Sequence, residues 1–255
     1  LKELNYLQKT VFDILDGTGP LTPRQIKEES QMFDGEGLLN KEIMPALHRL
    51  QTAFLVFEDQ QDTDWERGWN TFSAEWPDVD LEDMDWTEAA MEVLRRFFQA
   101  NVFATLENVK DWSGLALKSL KLVIAELEQS GDLVPFEDAD LGAGWLFADV
   151  VDLKTQDVPK MTLMLHKADP LVQAHASELK RQFAGEEVLQ YLLIDGEFKG
   201  AVLGHWRIGP HDVDNVVVEL PVKERSARKA EILDAVSWRY QGENHQILAY
   251  HGKKI

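Results

Sequence analysis

Apolar residues recur three and four apart through Leu4, Leu7, Val11, Phe12 and Leu15, which places them on one face of a helix over residues 3–16. Gly17-Thr-Gly-Pro20 stops that helix, and Thr22-Pro23 supplies an N-cap and a first-turn proline for a second one reaching about Ser30. Leu39, Ile43, Leu47 and Leu50 predict a third helix over Leu38–Leu50, with Pro45 expected to kink it or delay its start. Phe54–Phe57 reads as a strand, Glu58–Arg67 as a polar loop and Gly68–Ser73 as a returning strand.

The same order then repeats. Thr87 is expected to cap a helix through Ala100, Thr105 a short helix over Leu106–Trp112, and Ser113 to open a long helix through Ser130. Leu133–Phe136 and Gly144–Val151 read as strands around a loop. Phe57-Glu58-Asp59 before Gly68-Trp69 echoes Phe136-Glu137-Asp138 before Gly144-Trp145. Three helices followed by a two-stranded wing is the winged helix-turn-helix order, so two copies of one supersecondary unit are expected.

The last part differs. Lys160–His166, Val188–Ile194, Gly200–Ile208, Asn215–Leu220 and Gln246–Tyr250 read as strands, with a hairpin turn at Asp195-Gly196. Helices are expected from Asp169-Pro170 to Phe183 and over Lys223–Tyr240. The predicted fold class is α+β: tandem winged helix-turn-helix units over 1–80 and 86–152, then an α+β module over 158–255. Its sheet should be mostly antiparallel, with helices on one face.

Charge changes this picture once it is divided along the chain. Of 255 residues, 45 are acidic and 26 basic, a net charge of −19. Residues 1–150 hold 30 acids and 12 bases, whereas 151–255 hold 15 and 14, so an acidic front precedes a near-neutral back. The stretch Glu58–Glu92 has 13 acids and one base, Arg67, and reads as a solvated wing and linker. A DNA contact should therefore concentrate on the C-terminal module and on the face carrying Lys110, Lys118 and Lys121. The absence of cysteine excludes a disulfide framework, a thiolate metal site and a cysteine nucleophile, and fits a cytoplasmic protein. No apolar run approaches the roughly 18 residues of a membrane span.

Most chemical motifs fail on their physics. Gly17–Thr22 follows a helix and places Pro20 where amides would face a phosphate. The acids between Asp78 and Asp85 lack the turn glycine and the twelfth-position glutamate of a calcium loop. There is no His-Glu-x-x-His and no Gly-x-Ser-x-Gly, so neither a metal nor a small-molecule cofactor is expected.

Basic and aromatic groups are more informative. Lys118 and Lys121 lie three apart on the third helix of the second unit, with Lys110 on the helix before, where a major groove or phosphates could be reached. Against this, three lysines among acids are ordinary surface. The segment Leu192–Ile208 would bring Lys199, His205, Trp206 and Arg207 onto one hairpin, followed by Lys223, Arg225, Arg228 and Lys229 on the next helix. Aromatic and cationic groups on a β-ribbon suit stacking and phosphate contact. Considered alone, Trp206 is expected to pack inward.

The tandem winged units, the Asp169-Pro170 helix start and the Asp195-Gly196…Gly204-His205-Trp206 hairpin resemble the AlkZ/YcaQ-like winged-helix DNA glycosylase superfamily. Characterised members excise alkylated or crosslinked bases, so the resemblance implies DNA as partner. It also implies a Gln-x-Gln or Gln-x-Asp catalytic motif in the first winged region. No counterpart is read here, Gln60 and Gln61 being taken as adjacent residues of an acidic wing. The family's arginines after Asp-Pro are replaced by Leu171-Val-Gln-Ala-His175-Ala-Ser-Glu178. The remaining catalytic candidates are His205, Gln190 and Asp195, of which His205 is the most suggestive because a flipped base could stack on the adjacent Trp206.

The expected function is DNA binding without base excision. The predicted interface is Lys110, Lys118, Lys121, Lys199, His205, Trp206, Arg207, Arg225 and Arg228. An active glycosylase and a protein-interaction module that has lost DNA contact are the two alternatives.

Overall fold

A computed structural model describes residues 4–34, 37–59, 68–80, 83–150, 157, 159–206, 212–240 and 245–255. The chain divides into two compact units, Leu1–Met84 and Asp85–Ile255.

In the first unit, α1 (Tyr6–Thr18), α2 (Pro23–Asp34) and α3 (Asn40–Thr52) precede the paired strands β1 (Val56–Asp59) and β2 (Gly68–Thr71) and a short α4 (Phe72–Glu75). Asn5 and Gln8 form a reciprocal capping box at the start of α1, satisfying two amides that the helix itself leaves unpaired. Helix α3 starts at Asn40 and runs through Pro45. The apolar faces of these helices converge on Val11, Leu15, Ile26, Ile43, Leu47, Leu50 and Trp69. The strand expected at Phe54 begins two residues later, after Phe54 turns the chain with φ 55° and leaves its ring exposed. Leu21 also bonds to Trp69 through both backbone groups, at 2.9 and 2.8 Å, adding a bridge between α1 and α2.

The second unit opens with α5 (Trp86–Asn101), β3 (Phe103–Ala104), α6 (Leu106–Ser113), α7 (Leu117–Gln129), β4 (Leu133–Asp138) and β5 (Gly142–Phe147). These strands form a three-stranded sheet in the order β3-β5-β4. The element order matches the first unit, with β3 standing where the Leu21 bridge stands. The short sequence echo is not a register echo: Asp59 pairs with Gly68, but Asp138 pairs with Gly142 rather than Gly144. Two boundaries are corrected by capping. Asp85, not Thr87, caps α5, accepting from the Thr87 and Glu88 amides at 2.7 and 2.9 Å. Ser113 closes α6, and Gly114 in the left-handed region separates it from α7.

The remainder is a six-stranded sheet, β6 (Thr162–His166), β7 (Val188–Ile194), β8 (Glu197–Leu203), β9 (Asn215–Val218), β10 (Ala249–Tyr250) and β11 (Lys253–Lys254). Its spatial order is the reverse of the sequence order, and every pair but β9–β10 is antiparallel. The helices α8 (Pro170–Ala174), α9 (Ala176–Gln182), α10 (Val222–Ala227) and α11 (Lys229–Ser237) replace the two long ones expected, with breaks at His175 and Arg228.

Helices cover both faces of this sheet, not one. Leu192, Ile194, Val202, Val216 and Val218 pack with Ile232 and Val236 of α11, while Val188, Tyr191, Ala201 and Leu203 pack with Val172 of α8 and Leu179 of α9. That is why β7 is apolar almost without interruption. Gly200 is required by closeness: a Cβ there would stand 2.8 Å from the Val217 carbonyl oxygen.

Candidate nucleic-acid interface

Helix α6 is fixed from both sides. Thr105 and Asn108 form its capping box. Its outer face docks on α8 and α9: Asn108 Nδ2 donates to the Ala174 carbonyl at 3.0 Å, and Ser177 donates its amide and hydroxyl to Asp111 at 2.6 and 2.8 Å. Arg181 donates two parallel bonds to Glu107, at 2.8 and 2.7 Å. The second helical unit and the six-stranded sheet therefore share one body through α6.

Helix α7 presents its opposite side to solvent. Leu120, Val123, Ile124 and Leu127 are buried, so Lys118 and Lys121 must face outward, as does Lys110 on α6. No carboxylate lies within 4 Å of these three ammonium groups among the described residues. The two α7 lysines occupy the first half of the helix, where the backbone dipole is also positive, and the acids Glu126 and Glu128 occupy the last turn. An anion is favoured at the start of α7 on both counts.

The six-stranded sheet does not gather the remaining candidates into one patch. Lys199 is half-buried on β8 with its Nζ 3.0 Å from Glu197. Strand β8 ends at Leu203, so His205 and Trp206 stand beyond it rather than on a strand, at the opposite end from the Asp195-Gly196 turn. Roughly 20 Å of strand separates Lys199 from His205. Arg225 is half-buried on α10, its carbonyl accepting from Tyr250 Oη at 3.1 Å. Arg207 lies outside the described residues.

Arg228 is not a free cation. With 13% of its side chain exposed, it pairs with Asp195 at 2.5 Å and Glu231 at 2.7 Å, tying the hairpin turn to α11. Hydrogen bonds from Arg228 hold the Asp195 and Glu231 carboxyls below their usual range. A depressed carboxyl pKa contributes stability that is full above the unfolded value, about 4, and is lost as pH falls through the folded value. The sheet with α10 and α11 should lose stability on acidification below about pH 4, and Arg228→Met should flatten that dependence in urea titrations followed across pH.

The three catalytic candidates are engaged in the fold. Asp195 and Gly196 both have positive φ, 53° and 84°, as a two-residue hairpin requires. Gln190 is buried and donates to Tyr240 Oη at 3.4 Å. His205 Nδ1 lies 2.5 Å from Glu187 Oε2, and its Nε2 lies 4.0 Å from Asp214. The other Glu187 oxygen accepts the Trp206 amide at 3.0 Å, and His205 is the first cause of the lowered Glu187 pKa. Trp206 does not pack inward: it is 69% exposed. Glu187 was not legible as its anchor, because the two meet only when β7 and β8 close.

The fold is α+β, and its second unit presents an outward lysine pair on a helix whose opposite side is buried. The family model described as DNA glycosylase AlkZ-like matches residues 2–237, and the chain belongs to that family. Among solved structures, the DNA glycosylase AlkZ of Streptomyces sahachiroi aligns over 95% of this chain and 68% of its own, at 15% identity and a TM-score of 0.62. That similarity establishes the fold. RosR of H. salinarum covers 51% of this chain and 96% of its own at 17% identity, with a TM-score of 0.27, and carries no argument. No curated protein matches the chain. No helix among the described residues is long and apolar enough to cross a membrane.

The Gln-x-Asp motif is not absent from the chain. Gln60-Gln61-Asp62 does satisfy the spacing Gln-x-Asp. It falls between β1 and β2, outside the described residues.

Proposed function

We propose that the chain is a DNA-binding member of the AlkZ-like family that does not excise bases. Winged-helix units over 1–80 and 86–152 and an α+β module over 158–255 would form it, with α7 as the element addressed to DNA. The observation that carries this reading is the pair Lys118 and Lys121, outward on a buttressed helix and without a carboxylate within 4 Å among the described residues. Lys110 extends the same basic face. Trp206 supplies an exposed ring for stacking, while Lys199, Arg225 and Arg228 are drawn into the fold and contribute little to binding.

The engagement of His205, Gln190 and Asp195 in the fold argues against the candidates outside the Gln-x-Asp spacing, so absence of excision further requires that Gln60 and Asp62 do not act. Base removal needs a group that positions water or stabilises the charge developing on the sugar. The active-glycosylase alternative draws on family membership and Gln60-x-Asp62. The protein-interaction alternative draws on the −18 balance of residues 1–150.

A titration of plain duplex DNA against salt separates binding from its loss. Phosphate neutralisation by two or three lysines predicts log K falling against log salt with a slope of about −2 to −3. Affinity too weak to measure at ~50 mM salt, or indifferent to salt, would favour the protein-interaction alternative.

A further inference from the structure

The six-stranded sheet ends on two unlike edges. At one, β11 consists of Lys253 and Lys254. At the other, β6 runs Thr162-Leu-Met-Leu-His166, with no Lys, Asp, Glu or proline in it. Proteins blunt a free edge with charge, proline or a bulge, because its unpaired amides and carbonyls template another strand. Among the described residues, the β6 edge carries none of these devices.

Its backbone direction follows from one bond. The Asp195 amide donates to the Met161 carbonyl at 2.9 Å, so Met161 faces β7. Alternate residues of an antiparallel pair share that direction, which turns the amides and carbonyls of Thr162 and Met164 away from the sheet. Beside them, α11 forms the second wall of a groove of about 510 Å³. Thr162, Leu163 and Met164 line one side; Glu231, Asp234 and Trp238 line the other. Thr162 Oγ1 donates to Glu231 at 2.6 Å and fixes the spacing of the walls. Leu163 and Trp238 are 40% and 81% exposed. Glu231 is held by Arg228, whereas Asp234 makes no ion pair among the described residues.

We propose that this groove takes up an extended basic peptide segment of another protein as a seventh strand beside β6. Main-chain bonds to Thr162 and Met164 would supply affinity. Alternate side chains would lie over the apolar wall and over Asp234. A second copy of this chain fits less well, since edge-to-edge pairing would bring Asp234 and Glu231 toward carboxylates of their own kind.

The test uses the full chain and two probes, acetylated and amidated Val-Lys-Val-Lys-Val-Lys and its glutamate counterpart, each at about 1 mM. Titration gives affinity, and amide hydrogen exchange gives location. The lysine peptide is expected to slow exchange at Thr162 and Met164 and to bind at least about tenfold more tightly than the glutamate peptide. Asp234→Lys, an exposed helix substitution, should erase that preference, and Met164→Pro should abolish binding. If Met164→Pro does not fold, Asp234→Lys decides alone. Unchanged exchange at both amides, or equal binding of the two peptides, overturns the proposal. Protection already present without peptide, together with self-association in sedimentation, also overturns it and assigns the edge to a second copy.

Discussion

The Lys118→Glu, Lys121→Glu double variant should bind duplex DNA at least about a hundredfold more weakly than the parent chain near 0.1 M salt. The slope of log K against log salt should shrink by about 2, one for each phosphate contact removed. The reason is local. Both ammonium groups stand on the solvent side of α7, and its opposite side is locked by Leu120, Val123, Ile124 and Leu127. Reversal turns the start of the helix from a site favouring anions into one repelling them. Asp78→Lys with Asp80→Lys, the same size of charge change in the acidic front, should not weaken binding. Because the two pairs change net charge in opposite directions, a gain at Asp78 and Asp80 as large as the loss at Lys118 and Lys121, in fluorescence anisotropy across a salt series, would show that net charge alone governs association, and a loss from both pairs would contradict the assignment to α7.

Leu120→Ala should cost about 3 kcal/mol of stability, while Leu122→Ala, two positions along the same helix, should stay within about 0.5 kcal/mol. Leu120 is 0% exposed and packs among Phe97, Phe98 and Val109, so truncation leaves a cavity that the surrounding helices fill only in part. Leu122 is 52% exposed and touches water before and after. The urea midpoint of each variant measures the difference. Comparable losses would mean that the rotation of α7 is wrong, and the outward placement of Lys118 and Lys121 would fall with it.

Local signals were the legible part of this fold. Asp195-Gly196 carries its own preference for positive φ, so the hairpin turn could be placed without its neighbours. Thr105 with Asn108 three residues on marks a helix start by its own chemistry. The apolar spacing of α7 set its inward face, and thus its lysines. Signals that depend on distant closure were not legible. Arg228 reads as a surface cation until Asp195, 33 residues earlier, is brought to it. Trp206 reads as core while β8 is taken to extend through it; the strand stops at Leu203 and Glu187 holds the next turn outward. The break at Arg228 has no glycine or proline to announce it. The near-continuous apolar runs of β7 and β9 are the signal of a sheet covered on both faces, and reading the strand around Gln190 as alternating missed it.

Binding and the absence of excision can be read in a single experiment. A duplex treated to carry methylated purines is incubated with the chain at a concentration that saturates binding, and free methylated purine is then measured. Bound duplex and no release above the protein-free control are expected. Release contradicts it. If release is lost in His205→Ala, the chemistry belongs to the loop after β8; if it survives there and is lost in Gln60→Ala or Asp62→Asn, the chemistry belongs to the Gln-x-Asp spacing between β1 and β2.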